Sequence, residues 1–123
     1  ILNLKKAKSI YQIYKKLDVG QAMIVQNQLV LGLEAIEGTD QLLLRCSEYK
    51  RKEDKGILFK FAKYNQSTLI DIPLIGLDTI FKIKKFKYEG IYLEKNKCLI
   101  LDKKKIIDFA NSNKLFISSV DLN

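Results

Sequence analysis

Two short segments carry polar residues in a combination that secondary structure alone does not require. The first, Gly32-Leu33-Glu34-Ala35-Ile36-Glu37-Gly38-Thr39-Asp40, sets three carboxylates and two glycines between an apolar run and a helical pattern. A strand-to-helix turn exposes backbone N–H groups and the positive end of a helix dipole, so it can hold a phosphate. Its carboxylates could instead hold Mg²⁺, which takes oxygen ligands and bridges to phosphates. The structural alternative is that Glu37 and Asp40 simply favour a helix start, worth ~0.3–1 kcal/mol each. The second segment is Lys63-Tyr64-Asn65-Gln66-Ser67, followed by Asp71-Ile72-Pro73 and Gly76. Asp71 interrupts an apolar run, where an aspartate is costly to bury unless it is paired, hydrogen-bonded or metal-bound. A strand end facing water is the competing explanation.

Other chemistry is excluded by what the chain lacks. It contains no His, which removes Ser-His-Asp and Cys-His nucleophiles, His-ligated metals and His general bases. Carboxylate, lysine and hydroxyl chemistry remains. Neither GxxxxGK[ST] nor GxGxxG occurs, so the two nucleotide folds those motifs mark are not supported.

The 123 residues form one domain by length, and 47% apolar with 29% charged residues is ordinary for a chain with a single sizeable core. Lys and Arg total 22 against 14 Asp and Glu, a net charge of +8, but only Arg45 and Arg51 are arginines. Planar bidentate readout of guanine or phosphate is an arginine task, so specific nucleic-acid recognition is disfavoured. Attraction to an anionic membrane surface is compatible with the charge. Cys46 and Cys98 stand apart with no CxxC, which argues against zinc and for a reducing, cytosolic setting. No apolar run of ~18 residues and no export signal are present. The first residue, Ile1, suggests a piece of a longer chain.

The elements that must position the two segments read as follows. Leu4, Ala7, Ile10, Tyr11, Tyr14 and Leu17 predict an amphipathic helix ending near Gly20. Ala22–Val25 and Leu29–Leu33 predict a hairpin, and Gly38-Thr39-Asp40 opens a capped helix carrying Leu42, Leu43, Cys46 and Tyr49. Ile57–Ala62 is a strand, 63–68 a polar connection, and Leu69–Ile75, with Pro73, an edge strand or an extended loop. A basic amphipathic helix starts at Leu77. Ile91–Leu93 and Cys98–Leu101 predict a second hairpin, Asp102 caps a helix through Ile106 and Ala110, and Leu115–Val120 closes as a strand. Alternating helices and short strands predict an α/β domain, a mixed sheet flanked by helices.

Asp18-Val19-Gly20-Gln21-Ala22, Val30 through Asp40, and Gln66 with Asp71-Ile72-Pro73-Leu74-Ile75-Gly76 together resemble the C-terminal domain of the bacterial UDP-2,3-diacylglucosamine pyrophosphatases of lipid A biosynthesis. This is the type unrelated to the calcineurin-like phosphoesterases. The likeness covers about Leu17 to Asp121. It implies a 17–123 C-terminal domain, with 1–16 as the end of a helix connecting it to an N-terminal domain that this chain lacks. The implied reaction is Mg²⁺-assisted attack of water on the α-phosphorus of UDP-2,3-diacylglucosamine, giving UMP and 2,3-diacylglucosamine 1-phosphate. Cytoplasmic work with a UDP-linked glycolipid follows, with the inner-membrane surface as a further partner and the N-terminal domain supplied by the same or a separate chain. The resemblance makes Asp71 catalytic and a metal ligand. Lys63 and Gln66 also match the family pattern as substrate or phosphate contacts, and the chemistry of the first segment offers Asp40 or Glu37 as the second metal carboxylate, with Gly38 and Thr39 at the phosphate or sugar. Tyr64, Ser67 and Leu69 stand where the family pattern has Pro, Asp and Arg. Two other readings compete. One is a binding module of the same fold without turnover. The other is a membrane-surface module built on Phe81, Phe86 and the lysines Lys82, Lys84, Lys85 and Lys87.

Overall fold

The computed structural model describes residues 1–17, 19–51, 54–65 and 68–122, with the backbone alone described for 64, 65 and 68–71. In chain order its elements are α1 (Leu2–Tyr14), β1 (Ala22–Gln26), β2 (Leu29–Leu33), α2 (Thr39–Ser47), β3 (Ile57–Lys60), β4 (Lys63–Asn65), β5 (Thr68–Asp71), β6 (Leu74–Ile75), α3 (Leu77–Lys85), β7 (Gly90–Glu94), β8 (Leu99–Ile100), α4 (Lys103–Ser112) and β9 (Phe116–Val120). Five strands make one mixed sheet in the order β2-β1-β3-β7-β9. β1 runs antiparallel to β2 and β3, and β7 runs parallel to β3 and β9. The strands β2, β3, β7 and β9 therefore point the same way, and their carboxyl ends lie along one edge.

The central strands are apolar on both sides because both sides are covered. Ala22, Ile24, Leu58, Ile91 and Leu93 pack beneath α2, α3 and α4, which contribute Leu42, Leu43, Cys46, Ile80, Ile83 and Ile106. Met23, Val25, Ile57 and Phe59 face the opposite side, where α1 adds Ala7, Tyr11 and Tyr14. Two long-range bonds fasten α1. Tyr11 Oη donates to buried Glu94 Oε2 at 2.8 Å, and Gln12 Nε2 donates to the Leu122 carbonyl at 3.1 Å. The other oxygen of Glu94 accepts the Ala62 N–H at 2.9 Å, so this buried carboxylate is fully occupied. The structure is thus the α/β domain the alternation predicts.

Three local expectations change. β7 and β8 do not pair as a hairpin. β7 stays in the main sheet, and β8 lies parallel to β6, with Leu74 opposite Leu99 and Ile75 opposite Ile100. The short polar gap between them imitates a hairpin loop, but Ile91 and Leu93 are needed in the core, and parallel partners lie far away in sequence. The predicted connection 63–68 contributes β4, which pairs antiparallel with β5. The helix starts also differ. Gly38 is the N-cap of α2, and Asp102 caps α4 from the left-handed region at φ 52° without a side-chain bond. Among the described residues, no helix is long and apolar enough to cross a membrane.

Candidate functional site at the carboxyl edge of the sheet

Topology collects the polar segments. α2 leaves the carboxyl end of β2, while α3 and α4 end beside the starts of β7 and β9. The Glu89 N–H donates to the Gly56 carbonyl, and the Phe116 N–H to the Glu89 carbonyl, both at the amino edge. The N-termini of all three helices therefore face the carboxyl edge, where ligand sites of open α/β sheets lie. None of the three has a side-chain cap bond, so their first N–H groups stay available to an anion.

The turn after β2 is held from below. Glu34 is buried, and its carboxylate accepts the Gln21 N–H at 2.9 Å and the Thr39 hydroxyl at 2.6 Å. Its carbonyl accepts the Tyr14 hydroxyl, and burial together with the Glu34 charge pushes that phenol above its usual range. Gly20 passes so close that an added Cβ would meet the Glu34 carbonyl carbon and the Tyr14 oxygen, each at 2.7 Å. Gly32 is likewise tight, with Cys46 Sγ 2.5 Å from an added Cβ. Glu34, Gly20 and Gly32 thus act as scaffold for this turn. Thr39, predicted as a substrate contact, spends its hydroxyl on Glu34, which leaves its backbone N–H at the helix start.

The remaining carboxylates of the turn diverge. Glu37 pairs with Arg45 one helix length away, Oε1 to Nη2 at 2.9 Å, and this bond holds its carboxyl below the usual range. Asp40 turns to α3 instead. Its Oδ1 accepts the Thr79 hydroxyl at 3.0 Å, and its Oδ2 lies 2.9 Å from Lys82 Nζ. That bridge clamps the first turns of α2 and α3 together and so ties the Gly38-Thr39-Asp40 turn to the helix that follows the Asp71–Gly76 segment. Sequence reasoning missed Thr79 and read Lys82 only as a surface lysine of the basic helix, because their shared partner lies about forty positions earlier.

On the other side of this edge, β4 and β5 place Lys63 directly opposite Asp71 in their register. The Asp71 side chain and all of Gln66 lie outside the described residues. Gly76, the N-cap of α3, has φ −119° and open space around an added Cβ. Glycine is a favoured residue at a helix N-cap, and here it leaves the helix start open to solvent. Gly38 is also open above its Cα, although its φ of 84° itself favours glycine.

A resident Mg²⁺ would need oxygen donors free to converge. Glu37 and Asp40 are each neutralised by a separate cation, and among the described residues no three acidic, Cys or His side chains cluster to hold a metal. Among the described residues, Glu37 and Asp40 thus point to separate cations and do not converge on one site. The lysines of the basic helix are also engaged or placed at its end. Lys82 is bound to Asp40, Lys85 lies 5.5 Å from the Phe86 ring centroid, and Phe81 packs edge-on against Phe109 at 4.8 Å.

A family model described as the LpxI C-terminal domain matches residues 2–118, and so spans α1 together with both polar segments. The chain belongs to the LpxI family. One relative, the UDP-2,3-diacylglucosamine pyrophosphatase LpxI of Caulobacter vibrioides, is 33% identical over 97% of this chain and 45% of that protein. The chain therefore spans about half the length of that LpxI. A solved structure, a dCMP deaminase from the cyanophage S-TIM5 in apo form, aligns with a TM-score of 0.49 and 14% identity. That alignment covers 96% of this chain and 94% of the deaminase.

Proposed function

We propose that this chain is the C-terminal half of a UDP-2,3-diacylglucosamine pyrophosphatase of lipid A biosynthesis, acting with an N-terminal domain on a UDP-linked glycolipid. In the proposed reaction, water attacks the α-phosphorus and the bond to the bridging oxygen breaks. UMP keeps the new oxygen, and 2,3-diacylglucosamine 1-phosphate leaves with the old one. The observation that carries the reading is the LpxI match over residues 2–118, and the Asp40 bridge to Thr79 and Lys82 supports it by tying the first segment to the helix that follows the second. Uncapped N-termini at Gly38 and Gly76 and the Lys63 charge supply neutralisation for a diphosphate, the term that dominates such transfers. Asp71 orients the attacking water and accepts its proton, with Gln66 and the Thr39 N–H as phosphate contacts. Asp40 and Glu37 position these groups. A divalent cation brought in with the diphosphate would add charge neutralisation beside Lys63 and the helix N-termini.

UMP release from UDP-2,3-diacylglucosamine in the presence of Mg²⁺ tests the reading, with the chain alone and with a family N-terminal domain added. Release is expected only from the pair, and Asp71→Asn in the pair should lower it by ~10²-fold or more. Retention of most of the activity by Asp71→Asn would remove that residue from the mechanism. A second reading, a binding module without turnover, is favoured by the full neutralisation of Glu37 and Asp40 and by Tyr64, Ser67 and Leu69 at motif positions. It predicts UDP-glycolipid binding with no UMP from either sample.

A further inference from the structure

The β6–β8 ribbon is apolar on both sides. Along Ile72-Pro73-Leu74-Ile75, exposure alternates out, in, out, in, and Leu99-Ile100-Leu101 alternates likewise. The inward set, with Ile75 and Ile100, packs on the helical core. Leu74 and Leu99 are register partners, so Ile72, Leu74, Leu99 and Leu101 share the outer face, 39%, 52%, 54% and 53% exposed. A surface ribbon ordinarily carries polar residues there, and four aligned aliphatics mark a contact surface.

The chain next to this face shows a second departure. α4 begins Lys103-Lys104-Lys105, all exposed, with no acidic residue in its first turn. Cations oppose the dipole at that end of a helix, and the exposed acids Asp102 and Asp108 beside them leave the cluster net positive. Three lysines in an unfavourable place are explained by an anionic partner that reaches them.

We infer that the outer face of the β6–β8 ribbon and the lysine triplet opening α4 form a docking surface for an anionic lipid bilayer. A protein partner fits less well. Protein interface cores favour Tyr, Trp, Arg and Met and are depleted of Lys, whereas this face joins plain aliphatics to a lysine rim. Aliphatics beside lysines are the pattern of an interfacial membrane contact, and each lysine near an anionic surface adds to the attraction. The face begins one residue after Asp71, so docking would bring a membrane-borne lipid to the carboxyl edge. The inference goes beyond the proposed reaction and is read without substrate.

Vesicle flotation tests it, using this chain with phosphatidylcholine vesicles that contain phosphatidylglycerol and with pure phosphatidylcholine. Binding is expected to the anionic vesicles at low salt and not to the neutral ones. K103E/K104E/K105E should lower the partition coefficient at least tenfold, and L74S/L99S should lower it severalfold. The charge-matched K5E/K6E/K8E on α1 should leave it within about twofold, and circular dichroism checks that each variant is folded. Absence of binding to anionic vesicles at low salt overturns the inference. So does an equal loss with the α1 variant, which would mean a response to net charge alone. A chain that self-associates through this face, becomes monomeric on L74S/L99S and ignores vesicles would overturn it in favour of an interface between copies.

Discussion

Glu34→Ala should be the most informative substitution near the candidate site. The carboxylate accepts two hydrogen bonds at 2.9 and 2.6 Å, from the Gln21 N–H and the Thr39 hydroxyl. Bonds to a charged group contribute ~1.5–3 kcal/mol each, and a buried donor left without a partner costs ~1–3 kcal/mol. Water reaches half-buried Gln21 more readily than Thr39, and alanine removes the cost of burying a carboxylate, so the net loss falls near ~2–3 kcal/mol. With a urea slope of about 2 kcal/mol per molar, the unfolding midpoint should drop by ~1–1.5 M. Glu34→Gln keeps one oxygen for the Gln21 N–H and can donate to the Thr39 oxygen, so it should cost ~1 kcal/mol or less. Paired urea titrations followed by far-ultraviolet circular dichroism read both. An alanine midpoint within about 0.3 M of the parent, or an amide variant weaker than the alanine, would refute the scaffold role of Glu34.

Three further outcomes follow from the same geometry. Gly20→Ala forces a methyl into the Glu34 carbonyl and the Tyr14 hydroxyl and should destabilise by ~1–3 kcal/mol, checked by urea denaturation. The Asp40–Lys82 pair is half exposed, so a double-mutant cycle of Asp40→Asn and Lys82→Met should give a coupling of ~0.2–1 kcal/mol, and a value above ~2 kcal/mol would contradict its surface character. Lys50 donates to the Phe86 and Lys87 carbonyls at 2.9 and 2.6 Å and lies 4.3 Å from the Tyr88 ring centroid; burial, with help from Lys55, pushes its pKa down to about 8 from 10.5. The unfolded chain then holds that proton to higher pH, so between pH 8 and 10.5 the parent should gain stability relative to Lys50→Met, while a difference in urea midpoint that stays flat with pH would refute the shift.

The residues betrayed some features and concealed others for physical reasons. The β1–β2 hairpin was legible because its two apolar runs adjoin in sequence across a short polar loop. The apparent second hairpin misled because a local pattern cannot show that β8 pairs with a strand about 25 positions earlier, in parallel. β4 was hidden by its polar Lys63-Tyr64-Asn65 composition. At the site, the Gly38-Thr39-Asp40 turn was visible as a helix start, but the division of labour among its three acids was not. Glu34 lies under the turn, Glu37 pairs with Arg45, and Asp40 reaches α3. Those assignments depend on which cation or donor the fold brings near, which spacing along the chain cannot reveal.

The docking of α1 carries a consequence for how the chain is made. Its helix leaves the ribosome well before its anchors, Glu94 and the Leu122 carbonyl, which lie 83 and 110 residues after Tyr11 and Gln12. Tyr11, buried in that layer, lacks its hydrogen-bond partner until Glu94 has been synthesised. This helix therefore docks only after the strands that follow it have been made, and until then its apolar stripe is open to non-native contacts or to a chaperone.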